Sequence, residues 1–236
     1  MNGSGILDCL YPNKCAGCDE IMNGDSFLCE YCSVRINNAD YKNTCPECGL
    51  EKDYCRCKFR VFHYSGAVGA FKNTGVARKA YYSYKLGRRE ELAPYFAKKA
   101  AEAVKTVFGD ITFDAVCCVP ASRRSRLKRG FDHGEIIAEK VAGYLGVRFL
   151  HGILKTRRLR PFQHNSSFAE RLENVRSKYY TVKQTDARRI LLFDDICTTG
   201  ATLDECAREL MFAGAREVYC AVVLMTYPNK RTDGGK

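Results

Sequence analysis

Apolar positions recur along this chain in two rhythms, and the rhythm changes where glycine, proline or a charged run intervenes. Ile190-Leu191-Leu192-Phe193 reads as the end of a buried strand, too short for a helix and followed at once by turn chemistry. Asp194 and Asp195 are expected to close that strand. A helical pattern begins at about Leu203, with Cys206, Leu210 and Met211 on one face and Gly214 as its stop. Phe113 to Pro120 is a second buried-strand pattern, and Glu217 to Thr226 a long apolar third. Helices are predicted over Leu92 to Val107, with Pro94 near the first turn, and over His133 to Leu145, with Gly146 as the stop. A short strand follows over Val147 to Leu150. Earlier in the chain, residues 58–64 predict a strand around Phe59, Val61 and His63. Val68, Phe71, Val76, Ala80, Tyr81 and Tyr84 then predict a helix ending at Leu86-Gly87. The reading is an α/β fold with a parallel sheet flanked by helices.

In open parallel sheets, ligands sit outside the carboxyl ends of the strands, which directs attention to residues 194–202. A helix N-terminus offers unpaired N–H donors and a positive dipole end, suited to a phosphate dianion. Gly200 lets backbone approach that phosphate. Thr198, Thr199 and Thr202 add hydroxyls, and Asp194 and Asp195 can accept from a vicinal diol, so a sugar phosphate satisfies both halves of the stretch. No Gly-Lys-Ser/Thr closes it, which excludes a Walker A loop.

The cysteine content changes the picture of the first quarter. Of 14 cysteines, eight form the pairs Cys15/Cys18, Cys29/Cys32, Cys45/Cys48 and Cys55/Cys57. Cys-x-x-Cys knuckles turn two thiolates toward one point, and two knuckles make a tetrahedral cage, so four suit two structural zinc ions. Sequential pairing (15/18 with 29/32, 45/48 with 55/57) is the preferred arrangement. Interleaved pairing also satisfies the spacing, and an iron–sulfur cluster would use the same thiolates. The last knuckle is one residue short, and Cys9 is spare. The N-terminus shows no basic segment and apolar core of a signal peptide, and no apolar run is long enough to span a bilayer. The expected compartment is the cytoplasm, with reduced thiols. Two units are expected, a double zinc ribbon over 1–58 and an α/β domain over 59–236.

Charge divides along the same line. Residues 1–60 hold seven basic and nine acidic side chains, so the rest carries +13 against +11 for the whole chain. A basic body implies anionic partners, phosphates or nucleic acid. Five of residues 121–129 are basic, at the end of a predicted strand, where a polyphosphate would lie. A second basic run surrounds Arg157, Arg158 and Arg160 and reads as a polar lid before the Ile190 strand. His133 and His164 read as surface residues, and no segment announces a nucleobase pocket.

The run from Ile190 to Thr202 resembles the phosphoribosyl-diphosphate (PRPP) signature of type I phosphoribosyltransferases. The wider chain resembles the ComF family, zinc-ribbon-bearing relatives of those enzymes linked to competence and DNA uptake. The residues carrying this are the four knuckles, Lys85-Leu86-Gly87, Val119-Pro120, Arg129-Gly130-Phe131, Gln163, Glu170-Arg171-x-x-Asn174 and the signature itself. Asp132-His133 departs from the family's usual Asn-Gln.

The resemblance implies a type I phosphoribosyltransferase-like sheet with an N-terminal double zinc ribbon. It implies PRPP with Mg²⁺ as ligand, Asp194 and Asp195 on the ribose hydroxyls, and Thr198, Thr199, Gly200, Ala201 and Thr202 around the 5′-phosphate. Ala121, Ser122, Arg123 and Arg124 would form the pyrophosphate loop, and Lys85, Arg129, Gln163 and Arg171 would be lid or substrate residues. The activity implied is pentosyl transfer, in DNA uptake or nucleotide metabolism, with DNA-uptake proteins among the partners. The rival reading is a non-catalytic single-stranded DNA-handling protein that keeps the fold.

Overall fold

A computed structural model of the chain describes residues 13–22, 24, 26–36, 39–55, 57–59, 61–87, 89–121, 132–157 and 178–228. After a short helix α1 (Glu30–Arg35) come β1 (Gly66–Lys72), α2 (Gly75–Gly87), α3 (Ala93–Phe108) and β2 (Ala115–Cys118). Then follow α4 (His133–Leu145), β3 (Arg148–Phe149), β4 (Leu154–Thr156), β5 (Tyr179–Thr181), β6 (Arg189–Cys197), α5 (Ala201–Phe212) and β7 (Glu217–Met225). Five strands form one all-parallel sheet in the order β1-β7-β6-β2-β3. A separate antiparallel pair joins β4 and β5.

The sheet is buried on both faces, which is why its central strands read as unbroken apolar runs. Leu191 and Phe193 of β6 point into a core with α2, α3 and α4, including Tyr81, Tyr84, Phe96 and Val141. Ile190 and Leu192 point the other way, into a core with Leu203, Cys206 and Leu210 of α5. From β2 the chain crosses through α4 to β3, and from β6 through α5 to β7. These crossovers lie on opposite faces and run in opposite directions, so the crevice between the carboxyl ends of β2 and β6 is the topological switch point.

Helix termini follow the sequence signals. Pro94 sits in the first turn of α3, and Gly146 closes α4 in the left-handed region at φ 71°. Asp132 caps α4, its carboxylate accepting from the N–H groups of Gly134 and Glu135.

Three expectations need correction. The residues Val68 and Phe71 lie in β1, and the helix begins only at Gly75. No strand forms around residues 59–63 among the described residues; Cys57–Phe59 is instead a 3₁₀ turn. Asp194 and Asp195 do not close β6, which runs on to Cys197 with Asp194 opposite Val222 and Ile196 opposite Leu224.

The cysteine-rich segment lies against the edge of the sheet. Ala67 N–H of β1 donates to Pro46 O at 3.0 Å, Ala39 N–H donates to Ala70 O at 3.3 Å, and Tyr41 Oη donates to the same oxygen at 3.2 Å. These contacts occupy backbone groups that an edge strand would otherwise present to another chain. At Gly49, φ is +74°, and a Cβ would stand 2.7 Å from Met225 Cε and 2.9 Å from Ala67 O. Glycine there permits the ribbon to touch the sheet.

Candidate functional site

The strand–turn–helix junction predicted at residues 194–202 forms where the sequence places it. Cys197 ends β6, Thr198 and Thr199 turn the chain, and Gly200 at φ 77° opens α5 two residues earlier than expected. Only a left-handed residue makes this turn without strain, so glycine is required. The Ala201 N–H donates to Thr199 Oγ1 at 3.4 Å, and the Asp204 N–H donates to Gly200 O at 2.9 Å. Asp194, Ile196 and the run Cys197–Leu203 line a small hollow of about 30 Å³ at this helix start. The first N–H groups of a helix have no intrahelical acceptor, so the hollow suits an anion.

The two carboxylates behave differently because β6 continues through them. Successive strand residues face opposite sides. Asp194 shares the α5 side with Leu192, and Asp195 shares the α2 side with Phe193. Burial, then the neighbouring Asp195 charge, holds the Asp194 carboxyl well above the usual carboxylate range. The Asp195 N–H donates to Asp194 Oδ1 at 2.8 Å and offsets part of this. Asp195 Oδ2 is ion-paired with Lys85 Nζ, reaching across from α2. That cation also stands 5.9 Å from the centre of the Tyr81 ring. The sequence singled out Lys85 without a partner; the structure supplies one.

On the β2 side of the crevice, Ala121 N–H donates to Asp132 Oδ2 at 2.9 Å. Asp132 therefore ties the start of the predicted pyrophosphate loop to the cap of α4, which accounts for an acid there. His133, read as a surface residue, is buried, with Tyr84 Oη donating to its carbonyl at 2.9 Å. Burial, with the Asp132 and Asp194 charges, pushes the Cys118 thiol well up. Ser122, Arg123, Arg124, Arg129, Gln163 and Arg171 lie outside the described residues, as do Arg158 and Arg160. Arg157 is described and packs its guanidinium 4.8 Å from the Tyr180 ring centre.

The eight knuckle cysteines gather into two groups, Cys15/Cys18/Cys29/Cys32 and Cys45/Cys48/Cys55/Cys57, each with its sulfurs within 4.8 Å of one another. Sequential pairing is thus the arrangement present. A tetrahedral ion with Zn–S near 2.3 Å needs sulfurs about 3.8 Å apart. Cys18–Cys29 and Cys45–Cys57 are 3.8 Å apart and Cys48–Cys55 3.9 Å, so each group fits one zinc ion and is too tight for a polynuclear iron–sulfur cluster. Backbone N–H groups of Gly17 and Cys29 donate to Cys15 Sγ, each at 3.3 Å. Burial raises that thiol, but these donors prevail and bring it down to about 6. The one-residue-short Cys55/Cys57 knuckle still closes its group.

Sequence reasoning missed a larger cavity, of about 700 Å³, between the second cysteine group and the signature loop. Cys48, Leu50, Phe62, Tyr64, Thr198 to Gly200 and Thr226 are on its walls. The aromatic spacing at 62 and 64 was the available signal.

No protein-family model matches the chain. A DNA utilization protein YhgH from Salmonella typhi is 24% identical over 203 residues, covering 82% of this chain and 88% of that protein. The competence protein ComFC of Streptococcus pneumoniae is 25% identical over 209 residues, covering 84% and 87%. Competence protein F of Haemophilus influenzae is 25% identical over 108 residues, covering 44% and 47%. Homologues of the ComF type, at modest identity over most of the chain, thus match the family resemblance in the sequence. Among solved structures, the allosteric regulatory enzyme of purine biosynthesis aligns with TM-score 0.41 and 22% identity over 60% of this chain and 30% of its own. Adenine phosphoribosyltransferase from Thermoanaerobacter pseudethanolicus aligns with TM-score 0.35 and 15% identity over 60% and 84%. No helix among the described residues is long and apolar enough to cross a membrane.

Proposed function

We propose that this chain binds PRPP at the carboxyl ends of β6 and β2 and serves in DNA uptake or utilization. Residues 1–58 would act as a metal-held ribbon on the 59–236 body. The observation that carries the reading is the junction at the switch point, where two carboxylates lead through a left-handed Gly200 into the start of α5. The 5′-phosphate takes the hollow formed by Thr198 to Thr202, and the ribose hydroxyls take Asp195 and Asp194. Lys85 then leaves Asp195 for the pyrophosphate, so one cation serves the empty and the filled site in turn. Ala121 to Arg124 and the basic residues that follow screen the same group.

Mg²⁺ would arrive as part of the PRPP substrate and would supply charge neutralisation of the leaving group. Of the two carboxylates, Asp194 is half-buried and Asp195 is already paired with Lys85, so neither stands as an open oxygen ligand. The reaction class is pentosyl transfer. An acceptor forms a bond to C1 as the bond from C1 to pyrophosphate breaks, and the pyrophosphate departs with the electron pair. Positioning and neutralisation of the leaving group are the protein's contribution.

A second reading, single-stranded DNA binding, is favoured by the +13 charge beyond residue 60 and by the printed names of the relatives. Calorimetry with PRPP and Mg²⁺, then with an oligonucleotide, separates the two. PRPP binding that vanishes in Asp194→Asn/Asp195→Asn at unchanged melting supports the first, and unchanged affinity rejects it. Pyrophosphate release across a panel of bases decides turnover. For DNA, each phosphate neutralised contributes about −0.7 to the slope of log K against log salt. A flat slope would remove the phosphate-binding loops from that role.

A further inference from the structure

The buried face of α2 carries two tyrosines whose hydroxyls fare differently. Tyr84 Oη donates to the His133 carbonyl at 2.9 Å. Tyr81 is fully buried, yet its hydroxyl has no hydrogen-bond partner. A buried phenol normally finds an acceptor, so an unpaired one calls for a reason. The ring itself is fixed, its centre 5.4 Å from that of Phe96 and 5.8 Å from that of Tyr84. Phenylalanine would fill the same space without an unsatisfied hydroxyl, so packing alone gives no reason for tyrosine here.

The surroundings of the hydroxyl supply the second observation. Lys85 follows one turn farther along the same face of α2, its Nζ 5.9 Å from the Tyr81 ring centre and paired with Asp195 Oδ2. Asp195 shares the α2 side of the sheet with Phe193, as Tyr81 does. Burial, then the Asp195 charge, holds the Tyr81 phenol well above its ordinary value, so it remains a neutral donor beside that carboxylate. While Lys85 holds Asp195, the phenol goes without.

We propose that Tyr81 is a positioning residue for Asp195, its O–H donating to the carboxylate whenever Lys85 leaves it. The exchange turns the hydroxyl and draws the carboxylate toward it, with no repacking of the ring. Asp195 then stays ionised and oriented after losing its cation, and lone pairs remain on it for a ribose hydroxyl. Without that donor, Asp195 would either meet its ligand unpaired or keep Lys85 and deny it to the pyrophosphate. The proposal rests on the PRPP reading only for what draws Lys85 away; the hand-over itself concerns this chain's own side chains.

The test is a double-mutant cycle on the zinc-supplemented full chain with Tyr81→Phe and Lys85→Met, read by melting and by near-ultraviolet difference spectra. With Lys85 present, Tyr81→Phe should melt at or above wild type, because it removes only an unpaired hydroxyl. In the Lys85→Met background it should melt lower, because there the hydroxyl has taken Asp195. Subtracting each Tyr81→Phe spectrum from that of its parent isolates this tyrosine. Its absorption should move to the red in Lys85→Met, as a phenol does on donating to a carboxylate. PRPP with Mg²⁺ should produce the same shift in the chain that keeps Lys85. Tyr81→Phe should then bind PRPP roughly tenfold more weakly, the scale of one hydrogen bond to a charged group. Additive melting, or a Tyr81 spectrum unmoved by Lys85→Met, overturns the proposal whatever PRPP does. PRPP affinity equal in wild type and Tyr81→Phe overturns it as well. Coupled melting with the red shift, in a chain that calorimetry shows not to bind PRPP, keeps the hand-over and removes the PRPP reading.

Discussion

Asp194 and Asp195 are adjacent in sequence and opposite in circumstance. Both were legible as acceptors at a strand end; their divergence was not, because it depends on β6 continuing four residues farther than the apolar run. Lys85 was legible only through resemblance, since its partner lies 110 residues away on another element. Asp194 has a raised carboxyl in the folded chain, so its favourable contribution is present below the ordinary carboxylate pKa and is lost as pH rises through the folded value. In ligand-free protein, Asp194→Asn should therefore melt higher than wild type at pH 8 and close to it near pH 4. Equal melting at both pH values would show that Asp194 carries no such strain. The Lys85–Asp195 pair is about four-fifths buried, at 21% and 22% exposed, between the surface and interior cases. Lys85→Met should cost about 1–3 kcal/mol in a denaturant series by leaving Asp195 unpaired. Adding Asp195→Asn should recover most of it, and a purely additive double mutant would rule out the coupling.

At the scale of elements, α3, α4, α5, β2, β6 and β7 were readable because proline, glycine and long apolar runs mark them. β1 was misread for a physical reason. A strand covered on both faces loses alternation, and Val68 with Phe71 at a spacing of three then imitates a helix. The β4–β5 pair escaped notice because each strand has three residues and its partner is distant in sequence. The strand–loop–helix junction was the most legible element of all, and Gly200 is where it can be tested. Its φ of 77° strains any residue with a Cβ, and the nearest obstacle is Tyr64 Oη at 3.0 Å. Gly200→Ala should lose about 1–3 kcal/mol of stability and most PRPP affinity. Gly143→Ala is the control, because a Cβ there meets nothing within 4 Å and its φ is ordinary. If the two variants melt alike, the left-handed turn is not what fixes the junction.

For the whole molecule, the cysteine-rich segment covers the sheet's edge as well as gathering two four-cysteine groups that fit zinc. Spacing revealed the thiolates, but docking could not be read from sequence, because it uses backbone groups of Pro46, Ala67 and Ala70 that any residue possesses. With zinc bound, a segment with so little apolar surface would draw most of its folding free energy from the metal. Losing the metal therefore releases Ala39, Tyr41 and Pro46 from β1, forfeiting three hydrogen bonds worth roughly 1 kcal/mol each and leaving an open strand edge. It also removes Cys48 and Leu50 from the wall of the 700 Å³ cavity. Native mass spectrometry should find two zinc ions per chain, with no visible iron absorbance. Chelation of both should lower the main melting transition and promote self-association. A metal-stripped chain that melts in two steps, with its second transition unchanged, would show that ribbon and body are energetically independent.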